Sequence, residues 1–434
     1  MMKTPIADFI RSYAAGENTR LHMPGHKGVS FLGCESWDIT EISGADALYE
    51  ADGIIAESEK NAAALFGAAA TVFGAEGSSQ CIKAMVALAT QGREDGWILA
   101  GRNAHKAFLH ALALCDVDVQ WLWPEERDSI CACSITAGQV ETALRQAPTP
   151  PAAVYVTSPD YLGNLLPIRE IADVCHRYGT KLLVDNAHGA YLKFLPQSLH
   201  PMDQGADLCC DSAHKTLPVL TGGAYLHFRQ AQLAENAKAA MAMFGSTSPS
   251  YLIMASLDLC NRYLEENMRE KLEEILPTIE KTKGLLRENG WNVCRTEPMK
   301  ITLRCNGQAV AQLLREKGIE CEFADRDYLV LMPSTETTEA QLGALAAALD
   351  RNAGEYTPGE GVRMTPPQRA LSPRQAMFAR QQTIPVAEAL GRIAASPTVG
   401  CPPAVAVVVS GERIGENAQA AFDYYGMDKV CVVK

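Results

Sequence analysis

The chain has no stretch approaching the ~20 consecutive apolar residues that a membrane span requires, although 47% of its 434 residues are hydrophobic. Its opening, Met-Met-Lys-Thr-Pro-Ile-Ala-Asp-Phe-Ile, lacks the apolar core of a secretory leader. These two absences lead to the expectation of a cytoplasmic protein with no membrane partner. Positive charge is also short: 39 Lys and Arg stand against 51 Asp and Glu, a net charge of −12. Such a chain is a poor partner for nucleic acid or an anionic lipid surface, and it is compatible with a cationic substrate. The 14 cysteines include no C-x-x-C pair; Cys209 and Cys210 are adjacent, and Cys131 and Cys133 flank Ala132. Scattered in this way they read as reduced core residues, so neither a disulfide framework nor a metal site is expected. There is no internal repeat and no low-complexity tract, which excludes a repeat array.

What is present is an alternation of helical and strand patterns. A chain of this length exceeds one ordinary core and divides into two or three domains. Residues 1–55 read as an N-terminal arm, helical from Ile6 to Ala15 and then punctuated at Leu-His-Met-Pro-Gly-His-Lys-Gly (21–28). Residues 56–245 read as a large domain, with helices at 57–67 and from Cys81 to Thr90. Its strands are expected near Thr71–Phe73, Trp97–Ala100, Val117–Trp123, Ala153–Thr157, Lys181–Val184 and Ala224–Phe228. A helix from Ile168 to Tyr178 should stop at Gly179. The alternation implies βαβ units and an α/β fold with a mostly parallel central sheet. Residues 246–356 read as a long helix, Tyr251 to Leu286, followed by a small α/β domain. Residues 357–434 form a C-terminal domain, with a helix near Pro385–Ala395 and an apolar strand at Ala404–Val409.

Two segments carry most of the chemistry. Val-Asp-Asn-Ala-His-Gly (184–189) places Asp185 at the end of an apolar strand, and Asp-Ser-Ala-His-Lys-Thr-Leu (211–217) places Lys215 in a polar run after another. An amine that can hold an aldehyde, and a carboxylate that keeps a ring nitrogen protonated, are the two groups pyridoxal phosphate requires. A lysine is most often a solvated surface group, a reading weakened here by Leu217-Pro218-Val219-Leu220. A carboxylate at a buried strand end is costly unless paired, and open α/β sheets bind ligands at that edge. Gly77-Ser78-Ser79 before a helix offers a phosphate cup, and equally an ordinary N-cap. His105, after an apolar strand, could stack on a cofactor ring or simply bond to backbone; His188 could reach the cofactor's phenolic oxygen or hold a turn. Ser212 and His214 flank Lys215 closely enough to contact phosphate. Ser246-Thr247-Ser248-Pro249 could cap the following helix or supply a second phosphate contact. Asp46 and Glu412 are carboxylates near glycine turns, either suited to a cationic substrate end or merely solvated.

Taken together, seven ordered segments resemble the ornithine/lysine/arginine decarboxylases, of the pyridoxal-phosphate fold type I that also contains aspartate aminotransferase. They are Leu-His-Met-Pro-Gly-His-Lys-Gly (21–28), Asp38-Ile39-Thr40-Glu41 with Asp46, Gly77-Ser78-Ser79, Arg-Asn-Ala-His-Lys (102–106), Asp-Asn-Ala-His-Gly (185–189), Asp-Ser-Ala-His-Lys-Thr-Leu (211–217) and Ser-Thr-Ser-Pro-Ser-Tyr (246–251). The resemblance implies that Lys215 forms the internal aldimine, Asp185 pairs with the pyridinium nitrogen and His105 stacks on the ring. It also implies that Ser78, Ser79, Ser212 and His214 hold the phosphate. Thr247 would reach the phosphate of a neighbouring subunit, making a homodimer with its active site at the interface, or a higher oligomer. Glu412, Asp46 or Glu41 would receive the distal end of a basic amino acid. The chain departs from the family pattern at Thr221-Gly222-Gly223 and at Cys401-Pro402-Pro403-Ala404.

The implied reaction is decarboxylation of arginine, lysine or ornithine to the amine and carbon dioxide, as in polyamine biosynthesis. The carboxylate is held perpendicular to the ring, and His105 or Lys215 returns a proton to the α-carbon. Two rivals stand beside it: transamination or elimination on the same fold, and a catalytically silent cofactor-binding homologue.

Overall fold

The computed structural model describes residues 2–93, 96–125, 129–350, 353–359, 361, 363–397 and 404–434. In chain order the elements begin with α1 (Pro5–Ala15), α2 (Ile54–Phe66), β1 (Ala70–Gly74), α3 (Ser78–Thr90), β2 (Trp97–Gly101), α4 (Lys106–Cys115), β3 (Asp118–Leu122), α5 (Ala137–Gln146) and β4 (Ala153–Thr157). There follow α6 (Ile168–Arg177), β5 (Lys181–Asp185), β6 (Leu208–Asp211), α7 (Ala213–Thr216), β7 (Ala224–Phe228), α8 (Ala237–Ala242), α9 (Tyr251–Glu266) and α10 (Met268–Glu288). The remainder is β8 (Ile301–Arg304), α11 (Gly307–Glu316), β9 (Phe323–Ala324), β10 (Tyr328–Leu331), α12 (Glu339–Ala348), α13 (Pro373–Phe378), β11 (Gln381–Pro385), α14 (Glu416–Tyr424) and β12 (Lys429–Val433). Among the described residues no helix is long and apolar enough to cross a membrane.

The central sheet has seven strands, in the order β1-β7-β6-β5-β4-β2-β3. Two compact units make up the chain, Met1–Gln91 with Lys181–Leu272, and Gly92–Thr180 with Glu273–Lys434. In the first unit β5 and β6 run parallel, with Asp185 opposite Cys210, and β7 lies antiparallel to both β6 and β1. These strands are apolar on both faces because helices cover them: β5 reads Lys-Leu-Leu-Val-Asp and is buried from Leu182 onward. Helices α1, α2 and α9 pack on one another, with Ile6, Ile10, Phe66 and Met254 wholly buried. In the second unit β4, β2 and β3 are parallel, and a smaller antiparallel sheet runs β8-β10-β9. There Ile130, Leu162, Val330, Val407, Ile414 and Phe422 share one core.

The helix expected from Ile168 ends at Arg177, and Gly179 takes the positive φ (66°) that makes glycine a stop signal. Three expectations need correction. The long helix after Tyr251 is two helices, because Asn267 leaves helical geometry (φ −124°) between α9 and α10. Pro385–Ala395 is not an α-helix: Pro385 ends β11, Val386–Glu388 makes a single 3-10 turn, and Gly391 takes the positive φ of 78°. The apolar run 404–409 is not a strand. It forms one isolated bridge, between Val405 and His105, and the carbonyls of Ala406 and Val407 accept hydrogen bonds from Arg102 instead of from a strand partner.

Candidate active site

In the first unit, the segments singled out above meet at the carboxyl ends of β5 and β6. Asp185 closes β5 and is 2% exposed. One of its oxygens, Oδ1, accepts the Ala187 N–H at 3.2 Å and the Cys210 thiol at 3.7 Å. His188 is buried, and its Nε2 lies 2.9 Å from Lys215 Nζ. Lys215 stands in the single-turn helix α7, which follows directly on β6. Ser212, buried at the start of α7, donates its hydroxyl to Ser78 Oγ at 2.7 Å. Ser78 opens the 13-residue helix α3, so this hydroxyl pair lies at the positive end of a helix dipole.

The turn before α3 depends on glycine. Gly77 has φ 72° and ψ 174°, a conformation closed to side-chain-bearing residues. A Cβ built there would meet nothing closer than the Ser79 nitrogen at 3.9 Å, so the mouth of the helix is open. The Gly77 N–H is given to the Gly222 carbonyl at 2.7 Å. Gly222 itself sits at φ 102°, and a Cβ on Gly223 would fall 2.3 Å from Val219 Cγ1. The Gly223 carbonyl accepts both the backbone N–H and the Nδ1–H of His214, at 3.3 and 3.1 Å. The departure at Thr221-Gly222-Gly223 is therefore a tight turn that supports Gly77 and His214.

The remaining residues of this unit are placed as follows. Thr247 is exposed in a loop before α9, and the cap of that helix is Ser250, whose hydroxyl accepts from Ile253 N at 3.5 Å. Glu41 is exposed and accepts the Thr40 hydroxyl. The Asp46 carboxylate is engaged by the Ala47 N–H (2.9 Å) and by backbone N–H groups about the start of α2, those of Asp52 (3.2 Å), Gly53 (2.9 Å), Ile55 (3.0 Å) and Ala56 (3.4 Å). Burial works to raise this carboxyl, but these backbone donors outweigh it and hold it below the usual aspartate range.

The second unit holds the other two. His105 caps α4, its Nδ1 accepting from Ala107 N at 3.1 Å. Glu412, 5% exposed, accepts Arg102 Nη2 at 2.9 Å and Val409 N–H at 2.7 Å. The Arg102 guanidinium lies over the rings of Trp121 and Trp123, at 5.2 and 5.0 Å from their centroids. Burial raises the Glu412 carboxyl above its ordinary range, and Arg102 opposes that shift. Ala404, at φ 56°, accepts the Lys106 N–H at 2.9 Å; Cys401-Pro402-Pro403 lies outside the described residues.

The first-unit residues fit pyridoxal phosphate: a primary amine beside an imidazole, a buried carboxylate one strand away, and an open helix mouth with paired hydroxyls. That site on a mostly parallel seven-stranded sheet defines a pyridoxal-phosphate-dependent enzyme of fold type I. Profiles of the Orn/Lys/Arg decarboxylase major domain and C-terminal domain match residues 4–305 and 360–431. The chain belongs to the Orn/Lys/Arg decarboxylase family, and is a pyridoxal-phosphate-dependent amino-acid decarboxylase. It is 27% identical over 453 residues to an arginine decarboxylase of Bacillus subtilis, covering 96% of this chain and 92% of the relative. The Francisella novicida lysine decarboxylase LdcF superposes with a TM-score of 0.83 at 19% identity, over 99% of this chain and 79% of the other. The constitutive lysine decarboxylase of Escherichia coli gives 0.79 at 18%, over 100% and 82%. At those identities the two structures establish the fold.

Arg102, Asn186, His200, Asp211 and His227 have no role in the sequence patterns taken alone. Arg102, Asn186 and Asp211 lie inside the quoted motifs, which is the available signal. No local pattern marks His200 or His227.

Proposed function

We propose that the enzyme removes the α-carboxylate of a basic amino acid (arginine, lysine or ornithine) and releases the amine. The observation that carries the reading is the Lys215 amine, 2.9 Å from His188 Nε2 and one strand from buried Asp185. When bound, pyridoxal phosphate supplies a protonated ring that accepts the electrons left behind by carbon dioxide. Lys215 holds the cofactor's aldehyde, and the imidazole beside it takes or returns the amine proton. Asp185 keeps the ring nitrogen protonated, fixed by Ala187 N–H and the Cys210 thiol. Ser78, Ser79, Ser212 and His214, with the Gly77 turn, would hold the phosphate, and the family resemblance gives His105 the place against the ring. The distal cation of the substrate is assigned to Glu41, since Asp46 caps a helix and Glu412 is held by Arg102.

The site is completed by a second copy of the chain, with Thr247 reaching the partner's phosphate. In support, the arm of the first unit leaves Leu21 90%, Phe31 78% and Leu32 89% exposed, large apolar side chains for a second copy to cover. A cytoplasmic place in polyamine formation is consistent with this chemistry. The test is a mass-spectrometric product assay on the protein reconstituted with pyridoxal phosphate and given arginine, lysine and ornithine together. Agmatine, cadaverine or putrescine is expected. Cofactor bound with no amine formed refutes the basic-substrate reading.

A further inference from the structure

Asp211 opens the lysine motif, yet it touches none of the groups assigned above to the cofactor. It is 0% exposed at the end of β6. Its Oδ2 lies 3.0 Å from His200 Nε2 and 3.2 Å from His227 Nε2. Its Oδ1 accepts the Asn186 side-chain amide at 2.6 Å, with the Cys209 thiol at 3.7 Å.

The ligand-type atoms of His200, Cys209 and Asp211 lie within 4.8 Å of one another, as in a metal site. The hydrogens argue otherwise. The Met202 N–H points at His200 Nδ1 at 3.3 Å, so the ring hydrogen is on Nε2, aimed at Asp211. His227 Nδ1 lies 2.8 Å from the Thr71 hydroxyl, which can donate to it and leave Nε2–H for the same carboxylate. Burial lowers the His227 pKa against the pull of Asp211, favouring the neutral ring. Burial also works to raise the Asp211 carboxyl, but the two histidines and their hydrogen bonds prevail and hold it ionised. The cluster is thus a buried carboxylate satisfied by donors, with no lone pair turned inward for a cation.

Its output is Asn186. That residue follows Asp185 directly, its N–H continues the β5–β6 ladder to the Cys210 carbonyl at 2.9 Å, and its amide is gripped by Asp211. The turn so anchored supplies Ala187 N–H to Asp185. We infer that Asp211 is a positioning residue, which through Asn186 fixes the Asp185 carboxylate against the ring nitrogen of the cofactor. The inference rests on the reading of Asp185 as the pyridinium partner. Asn186 Oδ1 is buried with no partner among the described residues, so facing an asparagine in place of Asp211 the amide can turn over and keep its bond.

That freedom makes the test discriminating. The full chain with pyridoxal phosphate is compared in five forms: wild type, Asn186→Ala, Asp211→Ala, Asp211→Asn and Asp185→Asn. Read for each are cofactor affinity by equilibrium dialysis, the pH midpoint of the bound cofactor's visible band, and kcat and KM. Asn186→Ala and Asp211→Ala should weaken cofactor binding, shift the midpoint in the direction seen for Asp185→Asn, and lower kcat by roughly 10–100-fold, the scale of a misplaced group. KM should stay within about threefold, since the substrate's own contacts remain. Asp211→Asn should restore kcat to within about threefold of wild type, because the Asn186 amide turns over to accept from it. If Asp211→Ala fails to fold, Asn186→Ala decides. A wild-type midpoint and kcat in Asn186→Ala overturn the inference, as does Asp211→Asn being as impaired as Asp211→Ala. Should Asp185→Asn itself behave as wild type, the reading of Asp185 has failed instead.

Discussion

Replacing Arg102 by methionine tests how firmly the second unit holds Glu412. The substitution keeps an unbranched side chain between Trp121 and Trp123 and removes the guanidinium. Among the described residues Glu412, 5% exposed, then keeps the Val409 N–H as its hydrogen-bond donor, with the charge of Arg369 acting from further off. Removing one partner of a buried pair costs about 3–5 kcal/mol, because the remaining charge is stranded in a low-dielectric site. The penalty must also depend on pH. Burial already lifts Glu412 above 4.5, and Arg102 is the first influence opposing it; without Arg102 the folded-state pKa climbs further. Between the unfolded value and that raised value the native variant binds more protons than the unfolded chain, so its stability falls as pH rises through the window. Wild type, with its smaller shift, loses less. The gap between the two should therefore be small well below the unfolded value of about 4.3, where Glu412 is protonated in both states, and reach its full size at alkaline pH. Urea unfolding followed by intrinsic tryptophan fluorescence and repeated across pH measures the gap. The double variant Arg102→Met/Glu412→Gln should recover at least half of it. A penalty below about 1 kcal/mol, the value of an exposed pair, or one independent of pH, would refute a closed and buried Arg102–Glu412 pair.

Lys215→Ala should abolish both the visible absorbance of the reconstituted protein and amine formation while leaving the unfolding midpoint of the cofactor-free protein nearly unchanged, which a spectrum and a thermal melt will show. Gly222→Ala combines strain at φ 102° with a Cβ 3.0 Å from the Ala75 carbonyl, a cost of about 2–4 kcal/mol. It should also weaken inorganic phosphate and cofactor binding by disturbing the Gly77 turn; unaltered cofactor affinity by dialysis would show that the turn does not support the phosphate cup. Asp258 is fully buried, accepts the Ala7 N–H at 3.0 Å and the Ser58 hydroxyl, and has its carboxyl pushed up to about 6 by burial, against 3.8 unperturbed. A raised carboxyl stabilises the fold below the unfolded value and loses that stabilisation as pH rises to about 6, an amount on the order of 3 kcal/mol. Asp258→Asn should therefore remove that downward slope between about pH 4 and 6, which chemical denaturation at several pH values will test.

The sheet was legible because its strands are short apolar runs closed by turn residues: Ala153–Thr157 and Ala224–Phe228 occur in the structure with the ends expected. Helix ends were legible where a glycine marks them, as at Gly179. The tail was not. Its apolar run at 404–409 has the composition of a strand, but whether such a run pairs depends on what its carbonyls meet, and here they meet Arg102. In the candidate site, the amine, the strand-end carboxylate and the glycine turn each announce themselves in a few adjacent residues. The grip of Asp211 on Asn186 and the engagement of Glu412 by Arg102 do not, since the partners lie 25 and 310 residues apart.

The order of motifs by itself determined the chemistry available to this chain: a lysine and an aspartate at neighbouring strand ends, and glycines where only glycine can turn. Those are local properties, set by backbone sterics and by the two-residue period of a strand. Which carboxylates remain available was decided only by tertiary structure. Glu412 and Asp211 look alike in sequence, and each is engaged by a donor from a distant segment that folding brings within about 3 Å. Hydrogen bonds and charge pairs act over a few ångströms in a medium of low dielectric, and sequence spacing does not encode that distance.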